Sequence, residues 1–237
     1  MNSTHLSKRL SQVYDFVVSY AAKPCRLADI GTDHAYLPCA LALEGEVTFA
    51  VAGDVAAGPL ASAKEEVSSQ GLEDKISVRL GDGLTVVEAS DRINTVTICG
   101  MGGRLMRDIL EAGVGRLEVE HTLVLQANVG NYALRTWLDE AGYEILDEAV
   151  MQEGKHFYEV IACVERPGKV ASLSDKERLM GPKQLQKQGE AFRLMWADEA
   201  QALRYVQASL QQAKQPNLER LQEIQQQLTY IEEELGK

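Results

Sequence analysis

RLADIGTDHAYLP (26–38) passes from a short apolar run, through Gly31-Thr32-Asp33-His34, into a segment carrying Pro38. The run predicts a buried strand over 26–30 ending near Asp29, the glycine predicts a turn, and Pro38 suits the start of a short helix that Gly45 closes. Strand, turn and helix in that order open a βα unit, and the rhythm repeats downstream. VTFAVAGD (47–54) reads as a second strand, followed by a helix over 59–70 that Gly71 breaks. KISVRL (75–80) leads into Gly81-Asp82-Gly83, and NTVTICG (94–100) into Met101-Gly102-Gly103. A helix over 104–112, a strand HTLVLQ (121–126) and a helix around 131–141 continue the alternation. YEILDEAVMQ (143–152) and KHFYEVIACV (155–164) are then separated only by Glu153-Gly154, too short for a crossover helix, so they are expected to pair antiparallel. The expected fold class is α/β: a Rossmann-like, doubly wound sheet with an antiparallel edge hairpin.

Two helical regions flank this sheet. Over 5–18, Leu6, Leu10, Val13 and Val17 share one face, away from Lys8, Arg9 and Gln12. Pro167-Gly168 marks a boundary, which divides the chain into an α/β domain at 1–168 and a helical domain at 169–237. Ser174 with Glu177 fits a capping box. Beyond Gly181-Pro182 a long helix is expected, with Leu185, Phe192, Trp196, Leu203, Val206 and Leu210 as its apolar stripe. After Pro216-Asn217, Leu221, Ile224, Leu228, Ile231 and Leu235 recur at steps of three and four, the seam of an antiparallel coiled-coil hairpin.

Composition narrows the function. No apolar run reaches the roughly 20 residues that span a bilayer, and the polar start MNSTHLSKRL is unlike a signal peptide, so a cytoplasmic protein is expected. Cys25, Cys39, Cys99 and Cys163 lack metal-site spacing, and no metal is expected. The formal net charge is -11, the wrong sign for a polyanion partner unless a local patch exists. Residues 1–169 hold 15 Lys+Arg against 25 Asp+Glu, and residues 170–237 hold 9 against 10, so the acidity belongs to the first domain. A monomer is the default expectation.

Ligands of open α/β sheets sit beyond the carboxyl ends of the strands. Four such ends here carry small or acidic residues. Asp29 and Gly31 end the first, with Gly31 expected to bring backbone N–H groups close to a ligand. Asp54 ends the second, placed to accept ribose hydroxyls. Asp82, beside Gly83, ends the third near an adenine ring. Gly100, Met101, Gly102 and Gly103 end the fourth, leaving room for a reacting group. A dinucleotide site wants G-x-G-x-x-G, but Asp33 stands where the second glycine should be and would repel a pyrophosphate. S-adenosyl-L-methionine has no phosphate and carries a sulfonium and an ammonium, which suit Asp29 and Asp33. The expected cofactor is therefore S-adenosyl-L-methionine.

LSKRL (6–10), LADIGTDHAYLP (27–38), AGD (52–54), GDGL (81–84), ICGMGG (98–103) and LQANVG (125–130) together resemble the bacterial tRNA (adenine(22)-N(1))-methyltransferase family, across essentially the whole chain. The resemblance implies a class I methyltransferase domain with a small coiled-coil-like C-terminal domain. It also implies S-adenosylmethionine-dependent methylation of N(1) of adenine 22 in the D-arm region of tRNA. It maps Asp29, Gly31, Asp54, Asp82 and Gly83 onto the cofactor side. Asp33, His34, Tyr36, Met101, Gly102, Gly103 and Asn128 map onto the catalytic rim. The sequence departs from the family at Ala127, where a proline is expected.

Adenine N(1) carries an in-plane lone pair and needs no strong base, so Asp33 is expected to stabilise the developing cation or accept the late proton. His34 shares that role or caps the turn; Tyr36 stacks on the base or packs in the core. Lys8, Arg9, Arg104, Arg107, Lys183 and Lys187 are the candidate phosphate contacts, with Arg193, Arg204, Lys214 and Arg220 scattered along the tail. Two alternatives remain at this level: a methyltransferase acting on a small molecule or protein, which needs no basic path, and a non-catalytic nucleotide-binding protein.

Overall fold

The computed structural model describes residues 2–118, 120–213 and 215–236; Lys214 of the tail cations lies outside them. After α1 (Lys8–Tyr20), the α/β part runs β1 (Arg26–Ile30), α2 (Tyr36–Leu43), β2 (Phe49–Asp54), α3 (Ala57–Ser69), β3 (Ile76–Leu80), β4 (Thr95–Gly102), α4 (Gly103–Gly113), β5 (Thr122–Val129) and α5 (Asn131–Glu140). The hairpin strands β6 (Tyr143–Glu153) and β7 (His156–Glu165) follow, then α6 (Asp175–Met180), α7 (Pro182–Lys187), α8 (Glu190–Gln211) and α9 (Leu218–Leu235). No helix among the described residues is long and apolar enough to cross a membrane.

The seven-stranded sheet has the order β3-β2-β1-β4-β5-β7-β6. Strands β1 to β5 are parallel, while β7 runs antiparallel to both its neighbours. The hairpin thus supplies the antiparallel pairing at this edge, with β7 inside and β6 outermost. Because side chains alternate along a strand, β1 feeds two cores. Leu27 packs with Val13, Val17, Leu41 and Val67 on one face. Ala28 and Ile30 pack with Ile98, Met106, Leu110 and Leu134 on the other. Helices cover both faces, which is why the central strands read as unbroken apolar runs. The order of strands reverses between β1 and β4, and the crevice opens there.

The C-terminal helices form a third core. Phe192, Trp196, Ala200 and Leu203 of α8 pack on Ile224, Leu228 and Ile231 of α9, with Met180 below. The two helices run antiparallel, with Arg204 bonded to Glu232 and Gln207 to Gln225. The expected single long helix is two: α7 ends at Gln188, in a left-handed conformation, and Gly189 caps α8. Leu185 therefore reaches this core from a separate short helix, and Val206 is exposed, outside the core altogether.

Ionic contacts join the helices to the sheet. Arg135 of α5 is fully buried; it pairs with Glu148 at 2.6 Å and with Glu159, and donates to the Leu179 carbonyl at 3.2 Å. Glu148 in turn accepts the Lys183 N–H at 2.8 Å. Gly181 sits so close that a Cβ would lie 2.6 Å from Glu148 Oε2. One turn along α5, buried Asp139 accepts from Lys169 at 2.7 Å and from the N–H groups of Ser172 and Leu173 at 3.0 and 2.9 Å. Ending the chain before residue 170 would strip away the Ser172 and Leu173 donors to Asp139, together with the Leu179 carbonyl that Arg135 bonds and the Lys183 N–H that Glu148 accepts. Each hydrogen bond lost from a buried charged group costs about 1.5–3 kcal/mol, so the tail is not a detachable appendage.

Burial works against ionisation of Asp139, but the Lys169 hydrogen bond, aided by Leu173 and Ser172, overcomes it and holds the pKa at about 2. A carboxyl held below its unfolded value of about 3.9 stabilises the fold above that pH and loses the contribution as pH falls toward 2. Asp139→Asn should lower stability at pH 7 by roughly 2 kcal/mol, and the gap to the parent protein should close between about pH 4 and pH 2. Denaturant midpoints measured across that window check it; a gap independent of pH would show that the charge contributes nothing.

Candidate active site at the carboxyl edge of the sheet

A cleft of about 510 Å³ opens beyond β1, β2, β3 and β4. At its floor lies Asp29, buried, accepting hydrogen bonds from Thr32 Oγ1 at 2.7 Å and Thr97 Oγ1 at 2.6 Å. Burial pushes the Asp29 carboxyl up and nearby Asp54 adds to the push, while the two hydroxyls favour the charged form. The site thus holds a carboxylate that a bound cation would relieve.

The turn after β1 is built differently from expectation. The N–H groups of Gly31 and Thr32 both donate to the Gly53 carbonyl, at 2.9 and 3.0 Å, and so lock β1 to β2 rather than face a ligand. What Gly31 contributes is space: at φ +70°, a Cβ would lie 2.2 Å from Met101 Cε. Asp33 and Ala35 follow with φ of 53° and 55°, a left-handed pair without glycine, which is a strained arrangement of the kind held at functional loops. It presents the Asp33 side chain to solvent, 65% exposed, 3.6 Å from His34 Nε2. The His34 ring stacks on Tyr36 with centroids 5.1 Å apart and planes 6° from parallel.

Asp54 closes β2, with one oxygen taking the Ala56 N–H at 2.8 Å and the other the Asp33 N–H at 3.3 Å. Asp82 is exposed on the far wall. Gly83, at φ +51°, leaves room for Ile109, whose Cγ2 would stand 2.9 Å from a Cβ.

The end of β4 carries a bulge at Gly100 (φ +76°). Buried Gln126 accepts its N–H at 3.0 Å, Asn128 donates to its carbonyl at 2.8 Å, and Gln126 donates to Asn128 at 3.2 Å. The Asn128 amide is thereby committed to shaping the rim. Ala127, where relatives were expected to carry proline, pairs with Met101 inside this ladder and is buried. Met101 and Gly100 line the cleft, but Gly102 and Gly103 do not. Gly103 instead lets β4 turn into α4 against α5: a Cβ would lie 2.4 Å from the Gly130 carbonyl oxygen.

The basic residues scatter. Lys8 and Arg104 are exposed. Arg107 is bonded to its neighbour Asp108 at 2.7 Å, and Lys187 is tied to Asp147 and to the Glu148 carbonyl, so neither presents a free charge. Lys183 is half-buried. Arg9 lies not on the outer face with Lys8 but in the cleft, its guanidinium carbon 5.3 Å from the Tyr158 ring centre. Thr32, Thr97 and Gln126 went unnoticed in the sequence because an isolated polar residue in a strand or turn has no periodic signature.

The donor set suits S-adenosyl-L-methionine: carboxylates at three strand ends and on the rim, and glycines where bulk would fill the crevice. Among the described residues no cluster could hold a metal ion. A family model described as tRNA (adenine(22)-N(1))-methyltransferase matches residues 27–233. A Bacillus subtilis (strain 168) protein of that name is 35% identical over 98% of both chains. The chain belongs to the tRNA (adenine(22)-N(1))-methyltransferase family. Two solved relatives of this methyltransferase carry the expected cofactor or its product. A Streptococcus pneumoniae protein in complex with S-adenosyl-L-methionine is 36% identical, with a TM-score of 0.85 over 98% of this chain and 100% of its own. An M. capricolum relative in complex with the cofactor product S-adenosyl-homocysteine is 28% identical, with a TM-score of 0.81 over 98% of each chain.

Asp54→Ala removes the acceptor at the end of β2. Calorimetric titration with S-adenosyl-L-methionine should show at least a roughly tenfold weaker affinity, the scale of a lost charge-assisted hydrogen-bond pair. Undiminished affinity would take Asp54 out of the cofactor site.

Proposed function

We propose that this chain transfers the methyl group of S-adenosyl-L-methionine to N(1) of adenine 22 of tRNA. The observation that carries this reading is the acidic, phosphate-repelling cleft whose open rim is formed by Asp33, His34 and Tyr36, in a member of that family. The cofactor supplies an electrophilic methyl carbon on a sulfonium.

The protein's part is positioning and electrostatics. Asp54 and Asp82 hold ribose and adenine, while Asp29 offers its buried charge to the cationic end. The bulge fixed by Gln126 and Asn128 keeps Gly100 and Met101 clear of the reacting atoms. The target N(1) lies on the pairing edge, so the adenine leaves its stack before entering the rim. Its lone pair forms the bond to carbon as the carbon–sulfur pair passes to sulfur. The adenine becomes cationic until a proton departs from the exocyclic amine, and the exposed Asp33 carboxylate stabilises that charge or accepts the proton. His34, held against Tyr36, sets the rim's aromatic wall.

Residues 1–168 and 169–237 act as a catalytic part and a positioning part, and of the six candidate phosphate contacts Lys8, Arg104 and Lys183 are the ones offered to phosphate. So few phosphate contacts on an acidic body imply tRNA binding that is modest and only shallowly dependent on salt, because the slope scales with the number of phosphates neutralised. Unmodified tRNA bearing adenine 22, incubated with labelled S-adenosyl-L-methionine, should yield N(1)-methyladenosine, and a guanine-22 transcript should yield none. Label in both would refute the assigned position, and label in neither would refute the substrate. Asp33→Ala should retain cofactor affinity while losing most turnover. A single-turnover rate within about threefold of the parent, under half a factor of ten in rate, would return Asp33 to a structural role.

A further inference from the structure

A second cavity, of about 580 Å³, opens on the same edge of the sheet, between the end of β5, the start of β7 and helix α8 of the tail. Its size is typical of small-ligand pockets. It adjoins the cofactor cleft, because Asn128 on its wall donates to the carbonyl of Gly100, which lines that cleft. Its walls are aromatic: Tyr132 is 44% exposed, Phe157 is half-buried and Trp196 is buried. Two polar groups of these walls lack partners among the described residues. Trp196 Nε1 is buried with no acceptor, and Asn131 Oδ1 is buried with no donor. The orientation of the Asn131 amide is fixed, since its Nδ2 donates to Glu159 at 2.7 Å and a carboxylate only accepts. A buried indole N–H ordinarily finds an acceptor, so both atoms point to a ligand that completes them.

Charge narrows the choice of ligand. Glu159, Asp198 and Glu199 also line the cavity, the last two exposed. That sign repels a phosphate and favours groups that donate N–H. A nucleobase meets each requirement, with a flat face to stack on aromatic side chains and a pairing edge that sets donors beside acceptors. Position selects which base. Only β5 separates β4 from β7, two strand spacings or roughly 10 Å, so the cavity lies beside the point where the target adenine meets the methyl group. We propose that this cavity holds the base of an unpaired nucleotide next to the target adenine, stacked on Tyr132 and Phe157 with its pairing edge toward Trp196 Nε1 and Asn131 Oδ1. Drawing the adenine out breaks its stacking on its neighbours. The cavity gives one neighbour a replacement stack and fixes which base reaches the methyl group. The inference rests on the proposed function and deepens it.

The test measures methylation kinetics of the parent protein and Tyr132→Ala on three tRNAs: intact, and with an abasic residue on either side of adenine 22. With the parent, one of the two abasic tRNAs should show a KM at least about fivefold higher than intact tRNA, the lower end for one base stacked on an aromatic ring. Tyr132→Ala should raise KM for intact tRNA by a similar factor with kcat unchanged, the mark of lost uniform binding. On the sensitive abasic tRNA the same substitution should add nothing, and S-adenosyl-L-methionine affinity should stay at the parent's value. Parent KM values within about twofold for all three tRNAs overturn the inference and need no variant, so a misfolded Tyr132→Ala does not protect it. A parent-like KM of Tyr132→Ala for intact tRNA also overturns it, as does an equal rise on all three tRNAs. A parent that methylates none of them would instead refute the proposed function itself.

Discussion

The Asp29 carboxylate is the constraint around which the active end of this molecule is arranged. It sits at the end of the central strand, where burial raises its pKa and only two threonine hydroxyls favour its charge. Such a group costs stability in the free protein and repays it when a cation arrives. The neighbouring architecture follows from keeping it there. Gly31 and Thr32 give their N–H groups to Gly53 and lock β1 to β2. Asp54 then lies beside the turn, and the loop that must pass over it runs through two left-handed residues, Asp33 and Ala35.

The helical tail extends the same logic of buried charge to the opposite side of the sheet. Arg135, Glu148 and Glu159 bridge α5, β6 and β7, and backbone groups of the tail complete their hydrogen bonding. Without the tail's backbone groups these buried charges would lose hydrogen bonds, and Val150 of β6 would lose the tail core it packs against, so sheet and tail are coupled in stability.

Much of this was legible in the sequence, and the reasons are physical. The parallel strands are apolar runs bounded by glycines, the hairpin is forced by a two-residue connection, and the four strand ends bear the carboxylates and glycines that a phosphate-free cofactor wants. Pairing partners were not legible. Arg9 and Lys8 are adjacent in the chain, yet one turns into the cleft and the other out, a difference that helical phase relative to a distant Tyr158 decides. Lys187 read as a free cation because Asp147, its partner, is 40 positions away. Gly103 read as room for substrate, but it is the point where β4 and α5 come too close for any side chain.

The account makes Asp29 a charge kept for a ligand rather than for the fold, and Asp29→Asn separates the two. The amide preserves shape and can still bond to Thr32 and Thr97, while relieving the buried charge. Thermal melting with and without S-adenosyl-L-methionine reads both consequences at once. The account predicts a free variant at least as stable as the parent, together with a ligand-induced rise in Tm that is largely lost. A variant that melts lower when free, or that keeps the parent's ligand-induced rise, would contradict it.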